Sequence, residues 1–369
     1  MPDTAREKPI AFCIGNFGYY GLGVSQSGVR FRDLWEYDPS NNTWTQKANF
    51  GGTGRWGAFS FVIGTKAYTG TGFAATQTSD FWEYDQPTNT WTQKANFAGG
   101  ARYAAAGFSI GTKGYAGTGY SNTALTDLWE YDPSNNSWTA KANFPGGARS
   151  HAVSFTIGNK GYFSTGGGLN SVYYNDLWEY DAANDSWSQM ASFNGNGRTT
   201  SAGFSFGLNG FIVTGWTPNS GASNDCWEYD QVSNTWVQVA NFPPGNREGG
   251  VGFSVNGNGY FGTGNDQTSG YFSDLWEYAH DATTAPELQK NICARLFPNP
   301  LHSCATLTID NLQNDLRFSI FDVAGKKLRE QKIESVTTII QREDLPVGIY
   351  FYRITSNEKQ LSSGKLIIE

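Results

Sequence analysis

Asp-Leu-Trp-Glu-Tyr-Asp, residues 33–38, recurs five more times with small changes along the first three quarters of the chain. The six copies begin at Asp33, Asp80, Asp127, Asp176, Asp225 and Asp274, so successive copies lie 47 or 49 residues apart. A fixed period of roughly 20–50 residues is typical of stacked or radial folds, in which each repeat is one supersecondary unit. The spacing therefore predicts six such units.

Each repeat contains four short strand-like segments, as the second repeat shows. They are residues 57–63, 67–72, 80–85 and 90–93. The last segment is entered through Gln86-Pro87-Thr88-Asn89, where proline fixes φ and asparagine tolerates left-handed backbone, as a turn requires. No segment has a helical period with caps. Four antiparallel strands in about fifty residues predict a propeller blade, so residues 1–280 are predicted to form six blades.

A tryptophan marks the fourth strand of five blades but not of the sixth. The series is Trp44, Trp91, Trp138, Trp187 and Trp236, whereas the sixth copy continues into residues 279–284 without a tryptophan. At the other end, residues 2–6 match the end of a blade junction such as residues 145–149. We expect that the strand closing the last blade, and a signal peptide before it, are missing from this sequence. An open edge of this kind leaves backbone groups unpaired and favours association.

The composition fits many short strands joined by tight turns. Among 369 residues there are 45 Gly, 13 Trp, 19 Tyr and 25 Phe, but only 2 Met and 3 His. The net charge is −7 and the basic residues are scattered, which argues against a nucleic acid partner. No apolar run reaches the roughly 18 residues of a transmembrane segment, and residues 1–6 lack the pattern of a signal peptide. Four cysteines do not make a disulfide scaffold; Cys293 and Cys304 either pair or are two isolated thiols.

The repeat resembles the kelch family in three features. Its second strand is rich in glycine, its third carries a tyrosine and its fourth a tryptophan. Kelch repeats usually have adjacent glycines after the second strand, whereas this chain mostly has Gly-Thr-Gly, as at Gly117-Thr118-Gly119, which we interpret as a subfamily variation. The resemblance implies a six-bladed kelch β-propeller used for binding or catalysis, because kelch-like propellers include copper oxidases and a sialic acid epimerase.

A second domain is indicated after about residue 285, where glycine and tryptophan become rarer. Aliphatic residues alternate with polar ones in residues 307–310 and again in residues 318–322. A period of two indicates half-buried strands, so we predict a small immunoglobulin-like β-sandwich.

Four motifs in this region resemble the type A sorting domain of the bacterial type IX secretion system. They are Phe297-Pro298-Asn299-Pro300, the stretches at residues 321–326 and 345–350, and the terminal Lys365-Leu366-Ile367-Ile368. The resemblance implies a linker at residues 281–292 and a sorting domain at residues 293–369 that interacts with the secretion machinery. It also implies an extracellular location, or attachment to the outer-membrane surface. The alternative is an ordinary immunoglobulin-like accessory domain.

One candidate ligand site is a series of arginines, one before each first strand, which is the innermost strand of a blade. The series is Arg6, Arg55, Arg102, Arg149, Arg198 and Arg247. Six guanidinium groups around one channel mouth would suit an acidic sugar or acidic peptide. The alternative is a repeated structural ion pair with the glutamate of the third strand, such as Glu36, because that side chain faces the neighbouring blade and needs a partner. We favour this structural interpretation.

The second candidate site is the loop between the second and third strands, which differs in every blade. The six loops lie near residues 24–32, 73–79, 120–126, 167–175, 216–224 and 265–273, on the same face as the arginines. Several of them hold aromatic residues: Tyr120, Tyr173, Tyr174, Trp216 and Tyr271. Variable loops on a rigid scaffold commonly carry binding function, and aromatics suit contact with sugar or protein. The alternative is that these loops vary without function.

Catalytic patterns are scarce. His151, His280 and His302 have no metal-ligand spacing, and no cofactor or metal site can be assembled from the sequence. His151, beside Arg149, is the one histidine within a blade's repeated frame. We therefore predict a secreted or cell-surface binding module for a glycan or protein. The alternatives are a glycan-active enzyme of the sialic acid epimerase type at the arginine-lined mouth and a purely structural surface protein.

Overall fold

The computed structural model describes residues 4–268, 270–279, 294–297, 300–309, 315–322, 326–356 and 359–368. The chain divides into two compact units, Met1–His280 and Asp281–Glu369. The predicted linker at residues 281–292, Cys293 and several residues of the sorting motifs lie outside the described residues.

The first unit consists of six antiparallel sheets, one for each sequence repeat. Blade 1 contains β1 (Ile10–Ile14), β2 (Phe17–Gly21), β3 (Leu34–Asp38) and β4 (Thr43–Gln46). Blade 2 contains β5 (Phe59–Ile63), β6 (Lys66–Gly70), β7 (Phe81–Asp85) and β8 (Thr90–Lys94). Blade 3 contains β9 (Ala106–Ile110), β10 (Lys113–Gly117), β11 (Leu128–Asp132) and β12 (Ser137–Lys141).

The remaining blades repeat this order. Blade 4 contains β13 (Val153–Ile157), β14 (Lys160–Ser164), β15 (Leu177–Asp181) and β16 (Ser186–Met190), with a 3₁₀ turn at Leu169–Ser171. Blade 5 contains β17 (Ala202–Phe206), β18 (Asn209–Thr217), β19 (Gly221–Asp230) and β20 (Thr235–Val239). Blade 6 contains, within its described residues, β21 (Val251–Val255), β22 (Asn258–Gly262) and β23 (Leu275–Tyr278).

The six first strands form a closed inner ring. Each contacts the first strand of the next blade, and β21 contacts β1. Neighbouring blades pack a first-strand phenylalanine of one against a second-strand glycine of the next, except that blade 2 has Ala67 at this position. Any Cβ atom at Gly161 would overlap the ring of Phe108, and Gly18 of blade 1 stands in the same relation to Phe253 of blade 6. The absence of a side chain at these glycines therefore sets how closely the blades approach.

The second unit is a small sandwich. It contains β24 (Ala294–Phe297), β25 (Cys304–Ile309), β26 (Leu316–Phe321), β27 (Lys327–Ile333), β28 (Thr337–Gln341), β29 (Gly348–Ser356) and β30 (Lys359–Ile368). Strands β24, β25 and β28 form one sheet, and the other four form the second sheet in the order β27-β26-β29-β30. Aliphatic and aromatic residues from both sheets, among them Leu307, Phe318 and Ile354, form its buried core. The predicted fold class, a six-bladed propeller followed by a β-sandwich, is confirmed.

Candidate functional site

The six repeated arginines are buried, with at most 1% of each residue exposed. Each guanidinium group binds, through two nitrogens, the first aspartate of its own blade's copy of the Asp-Leu-Trp-Glu-Tyr-Asp motif. The pairs are Arg6–Asp33, Arg55–Asp80, Arg102–Asp127, Arg149–Asp176, Arg198–Asp225 and Arg247–Asp274, with Nη1–Oδ1 distances of 2.5 to 2.8 Å. Nη1 also donates to a backbone carbonyl at the end of the second strand, such as Thr118 O at 2.8 Å from Arg102.

The predicted partner of these arginines was wrong, because the ion pair is made with aspartate and not with the third-strand glutamate. Each arginine lies beside this aspartate. The glutamate is three residues further along the chain, which is roughly 10 Å away in an extended strand. The glutamates have other partners. Glu83, for example, accepts a hydrogen bond from Tyr68 Oη at 2.8 Å and pairs with Lys66 Nζ at 2.6 Å. The arginines do not present open guanidinium groups to the mouth, and ligand contact by them stays a prediction.

The two residues after each arginine surround the mouth of the central channel, and we call these twelve residues the mouth ring. They are Glu7-Lys8, Trp56-Gly57, Tyr103-Ala104, Ser150-His151, Thr199-Thr200 and Glu248-Gly249. The second residue of each pair has a positive φ, between 52° and 64°.

Backbone hydrogen bonds link these positive-φ residues from blade to blade. Lys8 N donates to Gly249 O at 2.7 Å, Gly57 N to Lys8 O at 3.1 Å, and His151 N to Ala104 O at 2.9 Å. The mouth ring is therefore built on a fixed backbone frame that all six blades share.

The channel below the mouth ring is narrow and lined by small residues. A segment of about 210 Å³ is bounded by all six first strands and the residues just before them. Among its lining residues are Ala58, Ser60, Gly107, Ser154 and Gly203. A volume of this size holds a few water molecules or one small group of a ligand, so a larger ligand must bind mainly at the mouth.

Aromatic side chains occupy the mouth ring in blades 2 and 3 and contact loop aromatics outside it. Trp56 lies 5.3 Å from Phe73 and 5.0 Å from Tyr103 between ring centroids, and Tyr103 lies 5.5 Å from Tyr120. All four are partly exposed. The result is a continuous aromatic group at one side of the mouth.

Polar side chains occupy the mouth ring in blades 5, 6 and 1. Glu7 Oε2 accepts a hydrogen bond from Asn265 Nδ2 at 2.6 Å, and its Oε1 lies 3.0 Å from Lys8 Nζ. Glu248 accepts hydrogen bonds from Thr200 Oγ1 at 3.0 Å and from Gln267 Nε2 at 2.6 Å. Lys8 Nζ also lies 5.2 Å from the ring centre of Trp56, so the polar and aromatic sides are continuous.

Among the mouth groups, Tyr271 and His151 have the largest pKa shifts. Burial, followed by the charge and hydrogen bonding of Glu7, raises the pKa of Tyr271 to about 12. Burial, followed by the charge of Lys8, lowers the pKa of His151 to about 3. His151 is partly exposed as a residue, but its Nε2 is buried and has no hydrogen-bond partner. It is therefore neutral near pH 7.

The predicted loop aromatics have different surroundings. Tyr120 belongs to the aromatic group, and Tyr271 lies with Glu7 on the polar side. Tyr173 and Trp216 contact each other at 5.2 Å between blades 4 and 5. Tyr174 instead covers the guanidinium group of Arg149 at 3.7 Å, as part of the buried arginine site.

The sequence patterns did not identify the site residues Glu7, Trp56, Tyr103 and Glu248. A signal for them was present, because the pair of residues after the repeated arginine differs in every blade while the arginine does not change.

Among the described residues there is no cluster of three or more His, Cys, Asp or Glu side chains that could hold a metal ion.

The two units are similar to different known proteins. Residues 295–369 match the family described as "Secretion system C-terminal sorting domain", which confirms the predicted type IX sorting domain. A search of curated proteins found no matching sequence. None of the helices in the described part of the chain is long and apolar enough to cross a membrane.

The first unit is similar to solved propeller structures. One of them, described as "Structure of YjhT", has a TM-score of 0.64 at 16% sequence identity, covering 76% of this chain and 98% of that chain. At this identity the likeness shows the fold alone. In all, 527 solved chains match, so the fold by itself does not select a function.

Proposed function

We propose that the first unit is a kelch-type propeller that binds a glycan or protein ligand through its loop-bearing face. We also propose that the sorting domain brings it to the cell surface or the extracellular space. The aromatic group formed by Trp56, Phe73, Tyr103 and Tyr120 carries the binding proposal. Partly exposed aromatic rings on a rigid frame give a large contact area with little loss of side-chain entropy on binding.

Alanine at Trp56 or Tyr103 is expected to weaken ligand binding by at least about tenfold, because aromatic anchors contribute most of the binding energy of such sites. Ligands would be found with a glycan array and a panel of extracellular proteins, and affinities measured by calorimetry. Leu208→Ala is the matched control, since Leu208 is 50% exposed in the turn at the opposite end of the strands. If folded Trp56→Ala and Tyr103→Ala bind as tightly as the unchanged protein, the ligand does not bind at this mouth.

A second candidate is a glycan-active enzyme, but at the mouth ring and not at the arginines. Glu7, Glu248, Tyr271 and the neutral His151 are acid–base groups that lie around one opening. General acid–base chemistry on a sugar needs such groups within reach of the reacting atoms. Turnover of the array-identified glycans, followed by NMR, would separate an enzyme from a binding module.

Removal of residues 295–369 is expected to abolish export across the outer membrane, because this segment matches the sorting domain. The chain and its shortened form would be produced behind the same signal peptide in a bacterium with a type IX system. Surface labelling and fractionation should find the full chain outside and the shortened form in the periplasm. Protease resistance of the propeller in both forms is the control for folding. Equal surface labelling of the two forms would contradict the assignment.

A further inference from the structure

The charged groups of the mouth ring are two carboxylates and one ammonium group. Lys8 is bonded to Glu7, and the hydrogen-bond donors to Glu248 among the described residues are neutral: the Thr200 hydroxyl and the Gln267 amide. The six nearby arginines are each neutralised by an aspartate. Further out, at the rim, Arg30 lies over the ring of Phe73. The ring around the channel opening therefore has a net negative charge.

The hydrogen-bonding groups of the polar side fit hydroxyl groups. A carboxylate has about four acceptor sites, and the carboxylate of Glu248 has two donors, so acceptor sites remain for a ligand. Sugar hydroxyls can donate to this carboxylate, whereas a ligand carboxylate can only accept.

The aromatic side complements this arrangement. Trp56 and Tyr103 belong to the same ring of residues as Glu7 and His151, and Tyr103 lies 6.2 Å from His151 between ring centres. The C–H face of a pyranose packs on such rings while its hydroxyls point sideways to polar groups. A carboxylate added to the sugar would bring a further negative charge to the same opening as Glu7 and Glu248, and like charges repel each other.

We propose that the ligand at the mouth ring is a neutral saccharide and that the ring discriminates against saccharides bearing a carboxylate. This inference rests on the proposed binding function, and it replaces the acidic ligand that the arginine series suggested. Glu248 is the residue that sets the preference, and Trp56 and Tyr103 form the stacking surface.

The test compares neutral hexose oligosaccharides with uronic acid oligosaccharides of the same linkage, which differ only at C6. Calorimetry on the full chain should show the neutral member binding at least about tenfold tighter. In Glu248→Gln, which keeps the shape and removes the charge, the neutral sugar should bind about tenfold more weakly, since it loses a charge-assisted hydrogen bond. The preference for the neutral member should also shrink. Glu36→Gln, at a carboxylate away from the mouth, is the matched control and should leave the preference unchanged.

The possible results separate this inference from the binding proposal. Tighter binding of the uronic acid member, or a preference that Glu248→Gln leaves unchanged, would overturn the inference and leave the mouth as a binding site. Binding of a protein but of no saccharide, with loss in Trp56→Ala, would overturn it in the same way. Binding of any ligand that is insensitive to Trp56→Ala and Glu248→Gln would instead overturn the mouth as the site.

Discussion

Arg149→Ala is expected to destabilise the propeller by about 3–5 kcal/mol, the range found when one partner of a buried ion pair is removed. All five N–H groups of Arg149 have acceptors: Asp176 accepts two, and the carbonyls of Thr165, Gly146 and Gly147 accept the others. Without the arginine, Asp176 would keep only Trp178 Nε1 as a donor in a largely buried place. Urea unfolding followed by tryptophan fluorescence measures the loss.

Lys160→Ala in the same blade is the control, because Lys160 also pairs with an aspartate, Asp181 at 2.9 Å, but on the surface. It should change the unfolding free energy little, since exposed pairs are screened by water. A double variant, Arg149→Met with Asp176→Leu, should recover much of the loss by removing both charges together. An unfolding free energy of Arg149→Ala within about 1 kcal/mol of the unchanged protein would mean that the buried pair is not structural.

Each arginine donates to the carbonyl of a residue with a positive φ, which explains why the arginine is needed. Thr118 has a φ of 55°, a left-handed conformation that costs a non-glycine residue roughly 1–2 kcal/mol. Its hydroxyl is buried without a hydrogen-bond partner, while its carbonyl accepts from Arg102 at 2.8 Å. The arginine thus holds in place a strained residue that is not glycine. The sequence showed a threonine here but not this compensation, because φ depends on contacts between distant segments.

The sequence predicted the fold well because the repeat encodes it directly. Each Asp-Leu-Trp-Glu-Tyr-Asp copy is a third strand, and the period fixes the number of blades. The partner of the arginine was harder to predict, because Asp33 and Glu36 are both acidic and both recur in all six copies of the motif. They differ only in their position along the chain. The mouth ring was missed because its positions carry different residue types from blade to blade, such as Glu7, Trp56 and Ser150, and only the closed ring brings them around one opening.

Acid should lower the stability of the propeller over two pH ranges, and the loss in the first range depends on His151. Its pKa is lowered to about 3 in the folded protein, mainly by burial, whereas an unfolded histidine titrates near pH 6.5. The unfolded chain therefore binds one more proton between these values, and stability falls by about 1.4 kcal/mol per pH unit below about pH 6.5. His151→Gln cannot take up this proton and should keep its stability constant down to about pH 4.5.

The loss in the second range comes from the arginine-bound aspartates. For Asp80, Asp225 and Asp274, burial raises the pKa, but the hydrogen bonds and charges of their arginines outweigh it and leave the pKa lowered. A lowered carboxyl pKa adds stability above the unfolded value of about 3.9, and this stability is lost as pH falls through the folded value. The unfolding free energy should therefore fall more steeply below about pH 4, both in the unchanged protein and in His151→Gln.

Urea midpoints measured from pH 7 to pH 3 distinguish the two losses. About 1 M salt, where the screening length is near 3 Å, weakens the contribution of exposed ion-paired carboxylates such as Asp181, which pairs with Lys160, but leaves that of the buried pairs. The steep loss below about pH 4 should therefore persist in high salt. If His151→Gln and the unchanged protein lose stability in parallel from pH 6.5 downward, His151 takes up its proton over the same pH range in the folded and unfolded states, and burial does not lower its pKa.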